Sequence, residues 1–294
     1  MAKKKFKLFR RDDKKVKLYR STGGNIAIFI FLILMSAFMI LPMFYAVIQS
    51  LKPIDELFAY PPKFFVKNPT FNNYLQAMKL ADNLYVPFSR YLVNSIFVSV
   101  VGTASYVLLS AAAGYALGKG KFPGNALISS LVVWTMLFAG DVTAIPQYIV
   151  ISTLGLIDTH WSIIFPTLAG TMGIFLMKQF VISSIPDSVL EAARIDGASE
   201  TKILTSMVFP NIKPACFTLI IFTFQGLWGN AGGTYIYTES TKLLPSVLSS
   251  ISAGGIARAG AGAAVSVILM IPPIAIFLYS QSSVMETMSH SGLK

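Results

Sequence analysis

"EAARIDGASE", residues 191–200, interrupts a chain that is otherwise apolar over long runs. Glu191, Arg194, Asp196, Glu200 and then Lys202 crowd around one glycine, Gly197. The local grammar is that of two helices meeting at a tight turn. "SSIPDS", residues 183–188, offers a serine N-cap with proline in the first turn. "VLEAARI", residues 189–195, is strongly helix-forming. Gly197 stands where a helix ends on a left-handed residue. "SETKILTSMVF", residues 199–209, then offers Ser199 as the next N-cap and runs up to Pro210. On these residues alone two readings stay open. The patch is a surface connector, or it is a docking element in which Ala192, Ala193, Gly197 and Ala198 admit a partner's backbone beside fixed charges.

The flanks decide where such a patch sits. The chain has 294 residues, of which 54% are hydrophobic and only 13% charged. A soluble domain carries about 25% charged residues, so half that value places this chain in a bilayer. Its one cysteine, Cys216, excludes an internal disulfide and a thiolate metal cluster. The formal net charge is +11, but ten of the 24 Lys and Arg residues lie in the first 20 positions. That bias is a topology signal rather than a nucleic-acid footprint.

A crossing helix needs about 20 mainly apolar residues. Residues 21–51 carry no charge, a run too long for a cleaved signal peptide's core, and are read as a first helix near 25–48. Further spans are expected near 91–118, 125–146, 160–181, 208–229 and 261–284. "QYIVISTLGLIDTH", residues 147–160, reads as a short interfacial helix, and "SAGGIARAGAGAA", residues 252–264, as a flexible outer loop leading into the sixth span. The expected fold is therefore an all-α integral membrane protein of six transmembrane helices. A basic cytoplasmic segment, 1–24, precedes the membrane domain, 25–284, and a cytoplasmic tail, 285–294, follows it. This topology leaves 17 basic residues inside and 7 outside, which supports a cytoplasmic placement for both termini. Loops 49–90, 147–159 and 230–260 then lie outside, and the charged patch, within about 183–207, lies inside.

Glu191-Ala192-Ala193, Gly197 and the run to Pro210 resemble the EAA loop of type I ABC-importer permeases. The family pattern is EAA, three residues, Gly, nine residues, Ile, any residue, Leu-Pro; here Met207 and Phe209 replace the Ile and Leu. "SLKPIDELFAYPPKFFVKNPTFNNY" (50–74), "YLVNSIFVSVVGTASYVLLSAAAGYALGKGKFPG" (91–124) and "SSIPDSVLEAARIDGAS" (183–199) extend the resemblance to the carbohydrate-uptake branch, on the side of the maltose-permease small subunit. It implies a bacterial inner or plasma membrane protein, multi-pass, working with a second similar permease, two cytoplasmic ATPase subunits and an external solute-binding protein to import an oligosaccharide. It implies that Glu191 anchors to the ATPase, that Ala192 and Ala193 pack closely, that Gly197 makes the turn, and that Asp196 and Pro210 belong to the same coupling element. ATP and Mg would be bound by the partner ATPases; this sequence contains no GxxxxGK[ST] phosphate loop and is expected to be no enzyme and to hold no cofactor. A type I permease for a non-sugar solute and an ion-coupled secondary transporter are the competing readings.

Other residues are weighed against blander roles. Ser110, Gly114 and Gly118, four apart, make a small-residue face for helix packing or a pore lining. Gln225, Trp228 and Asn230 combine amides with a ring, which suits sugar hydroxyls and apolar sugar faces, or interfacial anchoring. Asp141 and His160 stand near span ends and read as solvated or interfacial rather than proton-relaying or catalytic, His290 falls in the tail, and Cys216 reads as a packed small apolar residue. No paired acids, nucleophile–base pair or metal-ligand cluster is apparent, which argues against a membrane enzyme.

Overall fold

A computed structural model describes residues 22–61, 63–82, 86–138 and 140–291. Residues 1–21 of the expected N-terminal segment lie outside the described residues, as do the side chains of Asp141 and His290. All regular secondary structure among the described residues is helical. The chain divides into two units between Tyr45 and Ala46. The first is most of helix α1 (Thr22–Leu51), whose apolar side chains, Phe29, Phe38 and Met39 among them, are exposed, as a lipid-facing span requires.

The second unit opens with the expected outer loop, which folds around two short helices, α2 (Ile54–Leu57) and α3 (Asn72–Asp82). Asn73, buried, donates through Nδ2 to the Ser50 and Lys52 carbonyls at 2.9 and 2.7 Å. The Glu56 carboxylate accepts the Lys67 and Asn68 amides at 2.9 Å each. The first of these, the Lys67 amide, leads in drawing the Glu56 pKa down.

Helix α4 (Phe88–Lys119) is the axis of the unit and packs on helices of the third, fourth and fifth expected spans. Its expected small-residue face is a packing face. A Cβ at Gly114 would stand 2.6 Å from Met177 Cβ and 2.7 Å from the Lys178 amide nitrogen, so only glycine admits the neighbouring backbone. Ser110 is buried in the same seam.

The third expected span is not one helix. It is divided into α5 (Asn125–Thr135) and α6 (Gly140–Thr153), and α6 absorbs half of the segment expected to lie in the interface. At the break the Met136, Leu137 and Phe138 amides bond to carbonyls three residues back, so the helix tightens and stops. The fourth expected span is divided into α7 (Trp161–Leu168) and α8 (Thr171–Ser184), bent by 40°. Tyr106 of α4 bridges that bend: its hydroxyl donates to the Gly170 carbonyl at 2.9 Å and accepts from the Gly173 amide at 2.8 Å.

Helices α9 (Asp187–Ile195), α10 (Glu200–Ile203) and α11 (Phe209–Asn211) make up the charged patch and its exit. The helix of the fifth expected span, α12 (Lys213–Trp228), starts five residues later than expected, after an 80° bend at Ile212 between Pro210 and Pro214. Helix α13 (Leu244–Ser252) lies in the last of the expected outer loops. The last helix, α14 (Ala259–Ser291), begins inside "SAGGIARAGAGAA", which is thus not a loop throughout. Its small residues are buried: Ala261, Ala264 and Val265 sit in the core, and a Cβ on Gly260 would collide with Asn73. Smallness here serves close packing rather than flexibility. Among the described residues three helices are long and apolar enough to cross a membrane, or up to five if each bent pair is one span.

Candidate functional site

The charged patch is a rigid helix–turn–helix. The expected serine N-cap of α9 is absent: Pro186 holds that position, and its carbonyl accepts the Val189 amide at 3.2 Å. The far end follows the expectation. Gly197 is left-handed at φ +78°, its amide bonds to Arg194 O at 3.1 Å, and the Ala198 amide reaches Ala193 O at 3.0 Å. This pair of bonds satisfies the last carbonyls of α9. Ser199 caps α10, its hydroxyl accepting from the Lys202 amide at 3.3 Å.

The chain then enters a π turn, Leu204–Val208, in which the Phe209 amide reaches back five residues to Leu204 O. Proline at 210 has no N–H to offer the helical ladder. The wider turn, the proline and the 80° bend together redirect the chain from the surface into α12.

Three polar links tie this element to the end of α4. Lys119 Nζ lies 2.8 Å from Asp187 Oδ1, and Lys121 Nζ lies 3.6 Å from Glu191 Oε1. The Tyr115 hydroxyl donates to Glu200 Oε2 at 2.6 Å, while Arg194 Nε donates to Glu200 Oε1 at 2.7 Å. The Lys119 bond lowers the Asp187 pKa, and the Glu200 bond raises that of Arg194. Beneath the links, Leu190, Ile203 and Val208 are buried with Met177 and Val181 of α8. The patch is therefore fastened to both α4 and α8. A cavity of about 430 Å3 opens between Tyr115, Lys121, Phe122, Arg194, Glu200 and Leu204.

Charge and apolar surface also remain open around this anchorage, although Glu191 leans on Lys121. The Glu191 side chain is 58% exposed, and Asp196 and Ala192 are exposed. Ala193 instead packs against the chain's own core. Ile195 is 86% exposed, a large apolar group on a polar surface that sequence reading missed. Its signal was phase: Ile195 falls five residues after the inward Leu190, off the buried face of α9.

The amide–ring trio is not brought together. Trp228 is 2% exposed; its indole donates to Leu269 O of α14 at 2.8 Å and stacks on Phe224 at 5.7 Å. It ties α12 to α14 and offers no ring face to a solute. Gln225 is exposed. Asn230, its Oδ1 accepting from the Gly232 amide at 2.7 Å, borders a cavity of about 320 Å3 with Tyr106, Gly170, Thr223, Gly226 and Leu227.

Asp158, which the sequence reading passed over, organises the loop at 237–241. It is left-handed at φ +63°, and its carboxylate accepts the Tyr237 amide at 3.0 Å, the Thr238 amide at 2.9 Å, the Thr241 hydroxyl at 3.0 Å and the Thr238 hydroxyl. These bonds, the Thr238 hydroxyl first, hold its pKa down at about 2. His160 stands beside it with Nε2 3.1 Å from Thr241 O, in a structural role. Among the described residues no cluster of His, Cys, Asp or Glu could hold a metal.

The chain is similar to the polygalacturonan/rhamnogalacturonan transport system permease protein YtcP of Bacillus subtilis, with 28% identity over 87% of this chain and 93% of the relative. It is 27% identical to the arabinooligosaccharides transport system permease protein AraQ of the same organism, over 97% of this chain and 99% of the relative. In fold it matches a chain of a bacterial ABC transporter involved in the import of the acidic polysaccharide alginate, with a TM-score of 0.75 over 90% of this chain and 99% of the other at 23% identity. The family model for binding-protein-dependent transport system inner membrane components matches residues 27–284, and the chain belongs to that family.

Proposed function

We propose that this chain is one of two permease subunits in an ATP-driven importer that takes up a carbohydrate, an oligosaccharide in particular, from an external binding protein. The carrying observation is the helix–turn–helix at 187–203: it displays Asp196 and Ile195 and leaves Glu191 more than half exposed, while Lys119 and Tyr115 fasten it to α4. A lever needs both properties, a free docking face and a stiff root in the membrane helices.

In this reading the chain has six spans, with the bent pairs and the α5–α6 pair each crossing once, and both termini are cytoplasmic. Glu191, Ala192, Asp196 and Gly197 meet an ATPase subunit; Ala193 and Pro210 fix the lever to the bundle. ATP and Mg are bound by two ATPase partners, whose closure rocks the pair of permeases. Gln225 and Asn230 stand on the solute path, and Trp228 supports it from the core. The carbohydrate assignment rests on the similarity to YtcP and AraQ.

Reconstitution of the complete complex in proteoliposomes tests the reading. Uptake of arabino-oligosaccharides or oligogalacturonides is expected only with ATP and the binding protein, and the isolated chain is expected to hydrolyse no ATP. Uptake by the isolated chain driven by a proton or sodium gradient would make it a secondary transporter. ATP-dependent uptake of a non-sugar solute alone would keep the permease and overturn the substrate class.

A further inference from the structure

Helix α13 is amphipathic in an unusual way for so apolar a chain. Leu244, Val247 and Ile251 are buried on one face. Ser246, Ser249 and Ser250 line the other, with Ser249 and Ser250 exposed. Each serine hydroxyl donates to a backbone carbonyl nearby: Ser246 to Leu243 O at 2.6 Å, Ser249 to Pro245 O at 3.1 Å and Ser250 to Ser246 O at 3.0 Å. With the proton committed, each oxygen presents lone pairs to whatever lies in front of it.

In front of it lies a recess of about 370 Å3, bounded also by Ala231, Gly233, Tyr237 and Lys242. Tyr237 is 56% exposed, and its amide is fixed by Asp158 and its hydroxyl by Thr234 O at 2.9 Å. The ring is thus held in place while its surface stays open. Lys242 Nζ is paired with Glu239 Oε2 at 2.5 Å, and Glu239 is itself held by the Tyr91 hydroxyl at 2.8 Å. The lysine can still donate, but its charge is compensated.

The recess therefore offers acceptors, one compensated donor and an aromatic surface, without net charge. That set does not select an anion or a metal; it matches the hydroxyls and apolar ring face of a neutral sugar unit. Ligand pockets run from about 300 to 1,000 Å3, so this one has room for part of a glycan and not for a long chain. We propose that the recess formed by Ser246, Ser249, Ser250, Tyr237 and Lys242 is an extracytoplasmic contact site for a sugar unit of the transported glycan. The site rests on the importer reading given above, in which residues 230–260 face outward.

The test uses the complete transporter in nanodiscs, in a Cys216→Ala background, with cysteine placed by Ser249→Cys and, separately, Ser250→Cys. Lys67→Cys on the first outer loop serves as the reference position. Labelling by a thiol reagent is read at each position by mass spectrometry while ATP turns over. Arabino-oligosaccharides and oligogalacturonides are the probes, each with its loaded binding protein. The expected result is a several-fold slowing at positions 249 and 250 with the neutral arabino-oligosaccharide, none with the acidic oligogalacturonide, and no slowing at 67. Equal slowing by unloaded binding protein would make the recess a protein-docking surface and overturn the proposal. Uptake of the arabino-oligosaccharide without slowing at either serine overturns the site alone. Absence of uptake of both glycans overturns the importer-of-glycans reading and the site with it.

Discussion

At the scale of single residues, the turn at Gly197 and the charge at Glu191 do separable work. A side chain at Gly197 would meet nothing within 4 Å, so its cost is purely conformational, from φ +78°. Left-handed geometry costs an L-residue about 1–2 kcal/mol, and less for Asn. Gly197→Ala should thus lower the ratio of sugar-stimulated to basal ATP hydrolysis, with Gly197→Asn between it and the native residue. Glu191→Lys would face Lys121 with a like charge, yet both are exposed, so the permease should insert and pair normally. It should lose the ATPase subunits on co-purification. If Glu191→Lys and Gly197→Ala complexes assemble and transport at the unmodified rate, the patch is a connector only. Asp158 gives a pH prediction. Its folded pKa, about 2, lies below the ordinary 3.8, so its clasp on the 237–241 loop is complete above pH 3.8 and fades as pH falls towards 2. Pepsin should therefore spare that loop near pH 4 and cut it increasingly below. Asp158→Asn, which keeps a residue tolerant of the left-handed backbone, should expose Lys242 to trypsin at neutral pH; unchanged resistance would remove Asp158 from this role.

At the scale of elements, the seam between α4 and α8 holds the root of the charged patch. Gly114 faces Met177 and the Lys178 backbone at contact distances that no Cβ can share. Overpacking costs typically 1–3 kcal/mol, and backbone on the far side leaves little room to relax. Gly114→Leu should lower the midpoint of thermal unfolding of the detergent-solubilised complex, whereas Gly23→Ala, at a position with nothing within 4 Å, should not. Equal midpoints would mean that the seam opens without cost. Much of this was legible beforehand. The small-residue spacing on α4 gave its packing face, and "EAARIDG" gave both the helix and its left-handed stop. The breaks in the third, fourth and fifth spans were not. An uncharged run satisfies a hydropathy window whether the helix is continuous or not, and the break between α5 and α6 lies in backbone bonds that shorten at 136–138. Trp228 was misplaced for a similar reason: only tertiary packing shows that its indole faces Leu269 O and not a path. Asp158 left no pattern to read, because its partners lie about 80 residues away.

At the scale of the whole molecule, orientation hangs on whether α5 and α6 together cross the bilayer. Helices of 11 and 14 residues span about 17 and 21 Å, short of the roughly 30 Å hydrocarbon core singly but not in sequence. Were they to enter and leave on one side, three spans would precede the charged patch and place it opposite the basic N-terminus. The contacts favour crossing. Near the start of α5, Ser129 accepts from Lys178 at 2.7 Å, on the helix that leads into the patch, and Lys119 just before α5 binds Asp187. At the end of α6, Tyr148 stacks on Tyr235 at 6.1 Å, and Asp158 clasps the loop that follows the far end of α12. The pair thus starts beside the patch and ends beside the opposite loop. Single cysteines in a Cys216→Ala background should therefore divide cleanly in intact cells. An impermeant thiol reagent should label positions 67 and 154 directly, and positions 121 and 199 only after permeabilisation. Labelling of 121 and 154 from the same side would make α5 and α6 a re-entrant pair. Outside labelling at 199 would put the patch beyond the reach of any cytoplasmic ATPase, and the lever would have nothing to push it.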